Sequence, residues 1–165
     1  MIIVKKNKYL AFKNLKFRCA IGKNGIKKKI KEGDFVTPKG TFTLKKVYYR
    51  KDRIKNLKTK LKKIKIKRNM VWCDDPKSKF YNKQITLPSR YNYEKLYRND
   101  KIYDIIITLN YNTNPIIKNK GSAIFLHVAK KNYKPTAGCI ALKKEDLMHL
   151  VSVIKKDTKI KIIQI

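Results

Sequence analysis

Near its C-terminus the chain reads Ile124-Phe-Leu-His127, then a short polar loop, then Thr136-Ala-Gly-Cys139-Ile-Ala-Leu142. The apolar run predicts a strand that ends at one of the two histidines of the chain. Cys139 follows a glycine and lies twelve residues after that histidine. A strand-borne imidazole facing a Gly-Cys turn is the arrangement that a thiolate nucleophile and its base require. His127 and Cys139 therefore indicate both an element of the fold and a candidate site.

The surroundings of Cys139 determine how its thiol is expected to behave. A lone cysteine is commonly a small buried hydrophobe, and a buried histidine is commonly satisfied by backbone. Against this, Cys139 lies at or just before the only predicted helix, whose N-terminal amides, with nearby cations, would favour the thiolate. The N–H groups of Gly138 and Cys139 could form an oxyanion hole. His127 would take the thiol proton and return it to a leaving amine.

The charge of the chain is extreme. Its 165 residues carry a formal net charge of +32, from 43 Lys+Arg against 11 Asp+Glu. Such a field attracts nucleic acid, acidic lipid or acidic cell wall. Only six of the 43 basic residues are arginine, and specific nucleic-acid readout needs arginine forks with interleaved aromatic residues. We therefore expect no specific nucleic-acid partner, although a basic polyanion-binding protein without catalysis stays open as an alternative.

Features that bear on compartment are few. No run of about 18 apolar residues exists, so no transmembrane segment is predicted. The start, Met1-Ile-Ile-Val-Lys-Lys-Asn-Lys, places charges where a signal peptide needs its apolar segment. As written the protein is expected in the cytoplasm, unless its true start lies upstream or this is a mature form. Three cysteines cannot all pair, so one is free, as a catalytic thiol would be.

Short apolar stretches separated by Lys-, Asn- and Gly-bearing turns predict one mostly-β domain over residues 1–165. The predicted strands are Ile2 to Val4, Leu15 to Ile21, Thr41 to Tyr49, Ile64 to Trp72, Ile105 to Asn110, Ile124 to Val128 and Ile160 to Ile165. One helix is predicted from Lys143 to Lys156 on its apolar spacing. The segment from Lys45 to Arg68, with thirteen basic residues and one acid, is expected to be an exposed loop or ribbon.

Two motifs resemble those of a known family. Gly121-Ser-Ala-Ile-Phe-Leu-His127 through Thr136-Ala-Gly-Cys139 resembles the signature of the L,D-transpeptidase (YkuD-like) catalytic domain, a histidine, a loop, then Ser/Thr-X-Gly-Cys. Upstream, Thr37-Pro38-Lys-Gly40-Thr-Phe42 resembles the Thr-Pro-X-Gly-X-Phe/Tyr turn of that family. Trp72-Cys-Asp-Asp-Pro76 and Tyr81-Asn82 are similar to those of a short, divergent bacterial branch. The likeness covers roughly residues 13 to 165.

The resemblance implies a mainly-β, β-sandwich-like fold with one short helix after the catalytic cysteine. It implies acyl transfer on peptidoglycan stem peptides, through a thioester on Cys139, to form cross-links at meso-diaminopimelate. His127 would match the general base and Gly138 the oxyanion-hole turn. That reaction would place the protein in the periplasm or cell envelope, in conflict with the absence of a visible signal peptide.

Two departures from the family pattern leave the substrate open. Ala137 and Ala141 stand where the common version has a histidine and an asparagine or arginine. Contacts to the donor stem are thereby lost, so a peptidoglycan L,D-carboxypeptidase or amidase that uses the same Cys/His pair is the nearest alternative.

Further residues are predicted to bind substrate. They are Trp72, Asp74, Asp75, Tyr81, Asn82 and Thr136. A carboxylate near the cleft could hold the amine of a diaminopimelate stem, but Asp74-Asp75 could equally cap a turn, and Trp72 could equally be core. No metal and no cofactor are expected, because the two histidines fall on different elements without ligand spacing. A monomer is expected.

Overall fold

The computed structural model describes residues 1–165 as fourteen strands and one α-helix. The strands are β1 (Ile2–Lys5), β2 (Tyr9–Phe12), β3 (Leu15–Ala20), β4 (Ile26–Lys27), β5 (Thr37–Pro38), β6 (Gly40–Tyr49), β7 (Lys62–Lys65), β8 (Met70–Cys73), β9 (Lys83–Thr86), β10 (Tyr93–Lys95), β11 (Ile105–Leu109), β12 (Phe125–Val128), β13 (Ile140–Leu142) and β14 (Lys159–Ile163). The helix is α1 (Lys144–Val153), and a short 3-10 turn covers Lys131–Tyr133. This helix is too short and too polar to span a membrane.

Nine strands form two sheets that share their corner strands. The first sheet runs β3-β2-β1-β14-β6 and the second runs β13-β12-β11-β6-β7. The first residues of β6 pair with β14, and its later residues pair with β11. In the same way β3 pairs first with β2 and then, through Cys19 and Ala20, with β13. The prediction of a mainly-β, sandwich-like fold with one short helix is therefore confirmed.

The second sheet is buried on both faces. Ile105 and Ile107 of β11 point into the main core between the sheets, which contains 28 buried residues. Ile106 points the opposite way, into a second apolar cluster that includes Trp72 and Phe125. Trp72 belongs to β8, the central strand of a small sheet of order β10-β8-β9. This small sheet therefore contributes to the cover over the outer face of the second sheet.

One predicted strand is wrong in its extent. The stretch from Ile64 to Trp72 was expected to be continuous, but a turn at Arg68 and Asn69 divides it into β7 and β8. These two strands belong to different sheets, because the turn redirects the chain from the edge of the second sheet into the small one.

The prediction of an exposed loop or ribbon from Lys45 to Arg68 is wrong for its middle part. Its two ends form β6 and β7, where strands were also predicted, but Ile54, Leu57 and Leu61 between them are buried in the main core. Many lysines of the segment face solvent while its apolar residues face inward. Burial of the apolar side chains thus orders a segment whose net charge argued for a solvated loop.

Helix α1 confirms the predicted helix with a shorter C-terminal end. It stops at Val153 because Ile154 has extended backbone angles, and it buries Leu147, Leu150 and Val151. A buried carboxylate, Asp104, ties its first turn to the end of the loop before β11. Asp104 accepts from Lys144 Nζ at 3.0 Å and from Arg53 Nη1 at 2.8 Å, and its side chain is 1% exposed.

Replacement of Asp104 tests this tie. Asp104→Asn leaves the cations of Arg53 and Lys144 without a counter-charge, so the free energy of unfolding should fall by about 2 kcal/mol. Glu145→Gln is the matched control, since its ion pair with Lys143 is 3.7 Å long and its side chain is 70% exposed. In urea denaturation, the free energy of unfolding of that control should fall by less than about 0.5 kcal/mol. Equal losses in the two variants would contradict this account of Asp104.

Candidate active site

A cavity of about 770 Å³ lies on the outer face of the second sheet, and both His127 and Cys139 line it. Its walls also include residues from the loop before β5, from β10 and from the loop between β12 and β13. A volume of this size accommodates a small ligand or a short peptide segment. The structure therefore brings the two reactive groups predicted from the sequence into one concave site.

The pairing of β12 with β13 places these two groups. The strands are parallel, with Leu126 opposite Ile140 and His127 opposite Ala141. Side chains alternate between the two faces of a strand, so Leu126 and Ile140 enter the main core. His127 of β12 and Cys139, which directly precedes β13, then share the outer face. The loop of eleven residues between them only has to return the chain to the start of a parallel neighbour.

The Cys139 thiol is protonated and held by backbone. Sγ donates to the Ala123 carbonyl at 3.1 Å and accepts from the Phe125 N–H at 3.4 Å. Burial, followed by the nearby charge of Glu94, raises the pKa of the thiol to about 12. The expected helix terminus is not adjacent, because β13 separates Cys139 from α1, which starts five residues later at Lys144. The prediction that the dipole of the helix stabilises a Cys139 thiolate is therefore wrong.

The His127 imidazole is neutral and has a defined tautomer. Nδ1 lies 2.9 Å from the Val128 carbonyl. A carbonyl can only accept, so Nδ1 carries the hydrogen and Nε2 is the nitrogen able to take a proton. Burial lowers the pKa of His127 to about 4. His127 is therefore available as a general base at all pH values above about 4.

Both reactive groups are neutral near pH 7, and no hydrogen bond joins them. The thiol hydrogen must leave the Ala123 carbonyl before Nε2 can accept it. A thiol of high pKa paired with a weakly basic imidazole does not form a resting thiolate–imidazolium pair. Without a ligand, the thiol and the imidazole are therefore both in their neutral forms.

The turn before Cys139 is fixed by a buried threonine from the other motif. Thr37 Oγ1 donates to the Gly138 carbonyl at 2.9 Å and accepts from the Gly22 N–H at 2.8 Å. Gly138 has φ +141°, and a Cβ there would lie 2.8 Å from the Val36 carbonyl oxygen. Glycine is therefore required by both backbone angle and space. The two sequence motifs, a hundred residues apart, meet at this contact.

The amides of the turn differ in what they can bind. The Gly138 N–H donates to Thr136 Oγ1 at 3.1 Å, and that hydroxyl donates to the Cys139 carbonyl at 2.6 Å. The Cys139 N–H has no partner in the protein. Of the two donors expected for an oxyanion hole, only that of Cys139 is free.

A family model described as YkuD, the L,D-transpeptidase catalytic domain, matches residues 1–162. The chain belongs to the L,D-transpeptidase family. Its fold is similar to that of Bd1075 from Bdellovibrio bacteriovorus, with a TM-score of 0.54 and 17% identity over 99% of this chain and 47% of that chain. An L,D-transpeptidase from Mycobacterium smegmatis has a TM-score of 0.47 and 11% identity over 98% of this chain and 57% of that chain. The chain thus spans about half the length of these two structures. No curated protein matches the sequence.

Of the residues predicted to bind substrate in this L,D-transpeptidase domain, Asp74 and Thr136 line the cavity. Asp75 does not: its carboxylate accepts from the Lys77 and Asn92 N–H groups in a turn at the surface. Asp75 therefore caps a turn, whereas Asp74 lies in the cleft.

Trp72, Tyr81 and Asn82 lie behind the cavity wall rather than in it. Asn82 Oδ1 accepts from Trp72 Nε1 at 3.0 Å and from the Ala123 N–H at 3.1 Å. Trp72 packs edge-on against Phe125, with ring centroids 4.9 Å apart. The Tyr81 hydroxyl donates to Glu32 and accepts from the Gly121 N–H at 2.9 Å. These side chains position the strand of the L,D-transpeptidase domain that carries the histidine.

Sequence reasoning missed the residues that contact His127 or influence Cys139. The Tyr103 ring packs edge-on against His127 at 5.3 Å between centroids, and its hydroxyl donates to Glu94 at 2.5 Å. Glu94 also lines the cavity, together with Glu32 and Ser122. One signal could have indicated Glu94 and Glu32, namely that acids are rare in so basic a chain.

The neutral resting pair predicts how Cys139 reacts with iodoacetamide. Between pH 7 and 9 the alkylation rate should rise about tenfold per pH unit, without a plateau, because the thiolate fraction rises in that proportion. Glu94→Gln removes a charge that raises the thiol pKa and should speed alkylation about three- to tenfold at fixed pH. Asp75→Asn, outside the cavity, is the control. Mass spectrometry of the Cys139 peptide measures the rate, and a pH-independent rate would contradict the neutral pair.

The role of Thr37 is tested by an isosteric change. Thr37→Val leaves the Gly22 N–H and the Gly138 carbonyl unpaired inside the protein, which should cost about 3 kcal/mol of unfolding free energy. Thr41→Val changes an exposed threonine of β6 and should cost less than about 0.5 kcal/mol. Denaturation curves compare the two variants. A Thr37→Val protein as stable as the control would show that the contact does not fix the turn.

Proposed function

We propose that the protein is a cysteine acyltransferase that acts on peptidoglycan stem peptides and forms cross-links at meso-diaminopimelate. Membership of the L,D-transpeptidase family supports the reaction class. The observation that carries the assignment of residues is the shared face of β12 and β13, where Cys139 and His127 line one cavity. Cys139 is proposed as the nucleophile and His127 as the general base.

The first half of the reaction forms a thioester. His127 Nε2 accepts the thiol proton, and Sγ attacks the carbonyl carbon of the donor peptide bond. The carbonyl oxygen becomes negatively charged and would accept a hydrogen bond from the Cys139 N–H, which is free in the protein. When the C–N bond breaks, the leaving amine takes the proton from the imidazolium. The donor acyl group is then bound to Sγ, and His127 is neutral again.

The second half transfers the acyl group. An amine of another stem gives a proton to Nε2 as it attacks the thioester. When the C–S bond breaks, the imidazolium returns this proton to Sγ, and the thiol and the neutral imidazole are restored. Water in place of the amine would yield a trimmed stem, which is the carboxypeptidase alternative. A peptidoglycan substrate would place the protein in the periplasm or cell envelope, and a monomer suffices for a cavity formed by one chain.

Defined tripeptide and tetrapeptide muropeptides test the proposal with purified protein. Cross-linked dimers are the expected product. Cys139→Ala should reduce their formation by a factor on the order of 10⁴ or more, and His127→Gln by about 10²–10⁴. Cys73→Ala is the matched control, because Cys73 is also a buried free cysteine but lies outside the cavity. Liquid chromatography with mass spectrometry resolves the products.

The outcomes separate the candidate functions. Trimmed monomers without dimers would replace transfer by hydrolysis at the same cysteine. Turnover that survives Cys139→Ala would overturn the assignment of the nucleophile. Salt-sensitive binding of anionic polymer, unchanged in Cys139→Ala and without any turnover, would favour the polyanion-binding alternative.

A further inference from the structure

The cavity concentrates acidic side chains in a chain that has few of them. Glu32, Asp74 and Glu94 line it, three of the 11 acidic residues of the protein. None of the three takes part in an ion pair, although the chain has 43 basic residues. Burial and the charges of the neighbouring carboxylates raise the pKa of Asp74 and of Glu94. Tyrosine hydroxyls donate to Glu32 and Glu94, but no cation forms an ion pair with any of the three carboxylates.

The basic residues that line the same cavity either pair with other acids or form no ion pair. Lys29 is paired with Asp34 at 2.5 Å, and Arg98 is paired with Asp100 at 2.6 Å. Arg98 is close enough to lower the pKa of Glu94 but forms no ion pair with it. The remaining cationic lining residues are Lys95, Lys130 and Lys134, and they make no salt bridge with the three carboxylates. No basic side chain of the protein therefore neutralises the acidic side of the cavity through an ion pair.

A second, independent observation points to a ligand at this wall. Ser122 is 6% exposed and lines the cavity, yet its hydroxyl has no hydrogen-bond partner. It lies near the Tyr81 hydroxyl, whose pKa it lowers, without forming a hydrogen bond of normal geometry. Tyr81 in turn donates to Glu32. A buried hydroxyl without a partner costs free energy, and a ligand donor at this place would satisfy it.

We propose that Glu32, Asp74, Glu94 and Ser122 form a subsite for a primary ammonium group of the peptide substrate, close to the carbonyl that Cys139 attacks. The inference rests on the proposed function, because a diamino acid in the stem supplies such a group. The three carboxylates provide the counter-charge, and the Ser122 hydroxyl accepts one N–H. The bound ammonium belongs to the donor stem and remains protonated, whereas the attacking amine of the acceptor must be neutral.

Occupation of this subsite would also act on the nucleophile. The charge of Glu94 is one cause of the high pKa of the Cys139 thiol. An ammonium beside Glu94 offsets that charge and favours the thiolate when the correct donor is in place. The subsite would therefore link recognition of the donor to activation of the cysteine.

Equilibrium binding tests the subsite without turnover. The full chain carrying Cys139→Ser is titrated by calorimetry with a muropeptide tetrapeptide, and separately with the same peptide acetylated on its side-chain amine. The free amine should bind about tenfold or more tightly, since a desolvated charge pair is lost on acetylation. Glu94→Gln, Asp74→Asn and Ser122→Ala, each added to Cys139→Ser, should reduce that ratio. Asp75→Asn, next in sequence to Asp74 but outside the cavity, should leave the ratio unchanged.

The result separates this inference from the proposed function. Equal binding of the free and the acetylated peptide, or an equal ratio in all variants, would overturn the subsite even if the wild-type enzyme cross-links muropeptides. A ratio that falls in the cavity variants alone would support the subsite even if the wild-type enzyme forms no cross-links. Thermal unfolding of each variant confirms that a reduced ratio is measured on folded protein.

Discussion

Parallel pairing of β12 with β13 puts the imidazole and the thiol on one face of the second sheet. The register is enforced from the other face, where Leu126 and Ile140 are 0% exposed in the main core. A slip by one residue would exchange inner for outer side chains and bury the imidazole in hydrocarbon. The reactive geometry is therefore a consequence of apolar packing. The parallel direction requires the chain to return to the start of β13, and the eleven residues between His127 and Cys139 make this return.

The same packing explains the chemistry of the pair. Because the second sheet is covered on both faces, the thiol and the imidazole are desolvated, and both are neutral. A surface cysteine beside a helix terminus would be reactive toward any electrophile. A buried neutral thiol is less reactive, because the thiolate is the nucleophilic form. The fold therefore keeps the Cys139 thiol protonated and largely shielded from solvent.

Local patterns predicted much of this molecule. The apolar runs that became β1, β3, β6, β11, β12 and β14 could be identified, as could α1, because alternation and helical spacing are properties of the local sequence. The short strands β9 and β10 could not, since the polar pieces of the small sheet acquire their identity from β8 between them. The segment from Lys45 to Arg68 was predicted to be exposed because of its net charge. Three of its apolar side chains nevertheless reach the core.

The site residues, too, were predictable only where a local motif indicated them. His127 and Cys139 were indicated by their own motif, and Asp74 and Thr136 line the cavity with them. Trp72, Tyr81 and Asn82 were correctly singled out as unusual, but they act as supports behind the wall. Glu94 and Tyr103 could not be placed beside the pair, because only the tertiary fold brings β10 and the approach to β11 over β12.

The shared corner strands leave the nine-stranded assembly with one open edge, β7. That strand reads Lys62-Lys63-Ile64-Lys65, so three of its four side chains are cationic. An unpaired edge invites a strand from a second molecule, and lysines in a row oppose that approach by mutual repulsion. Part of the basic composition therefore lies where it opposes the addition of a strand from a second molecule.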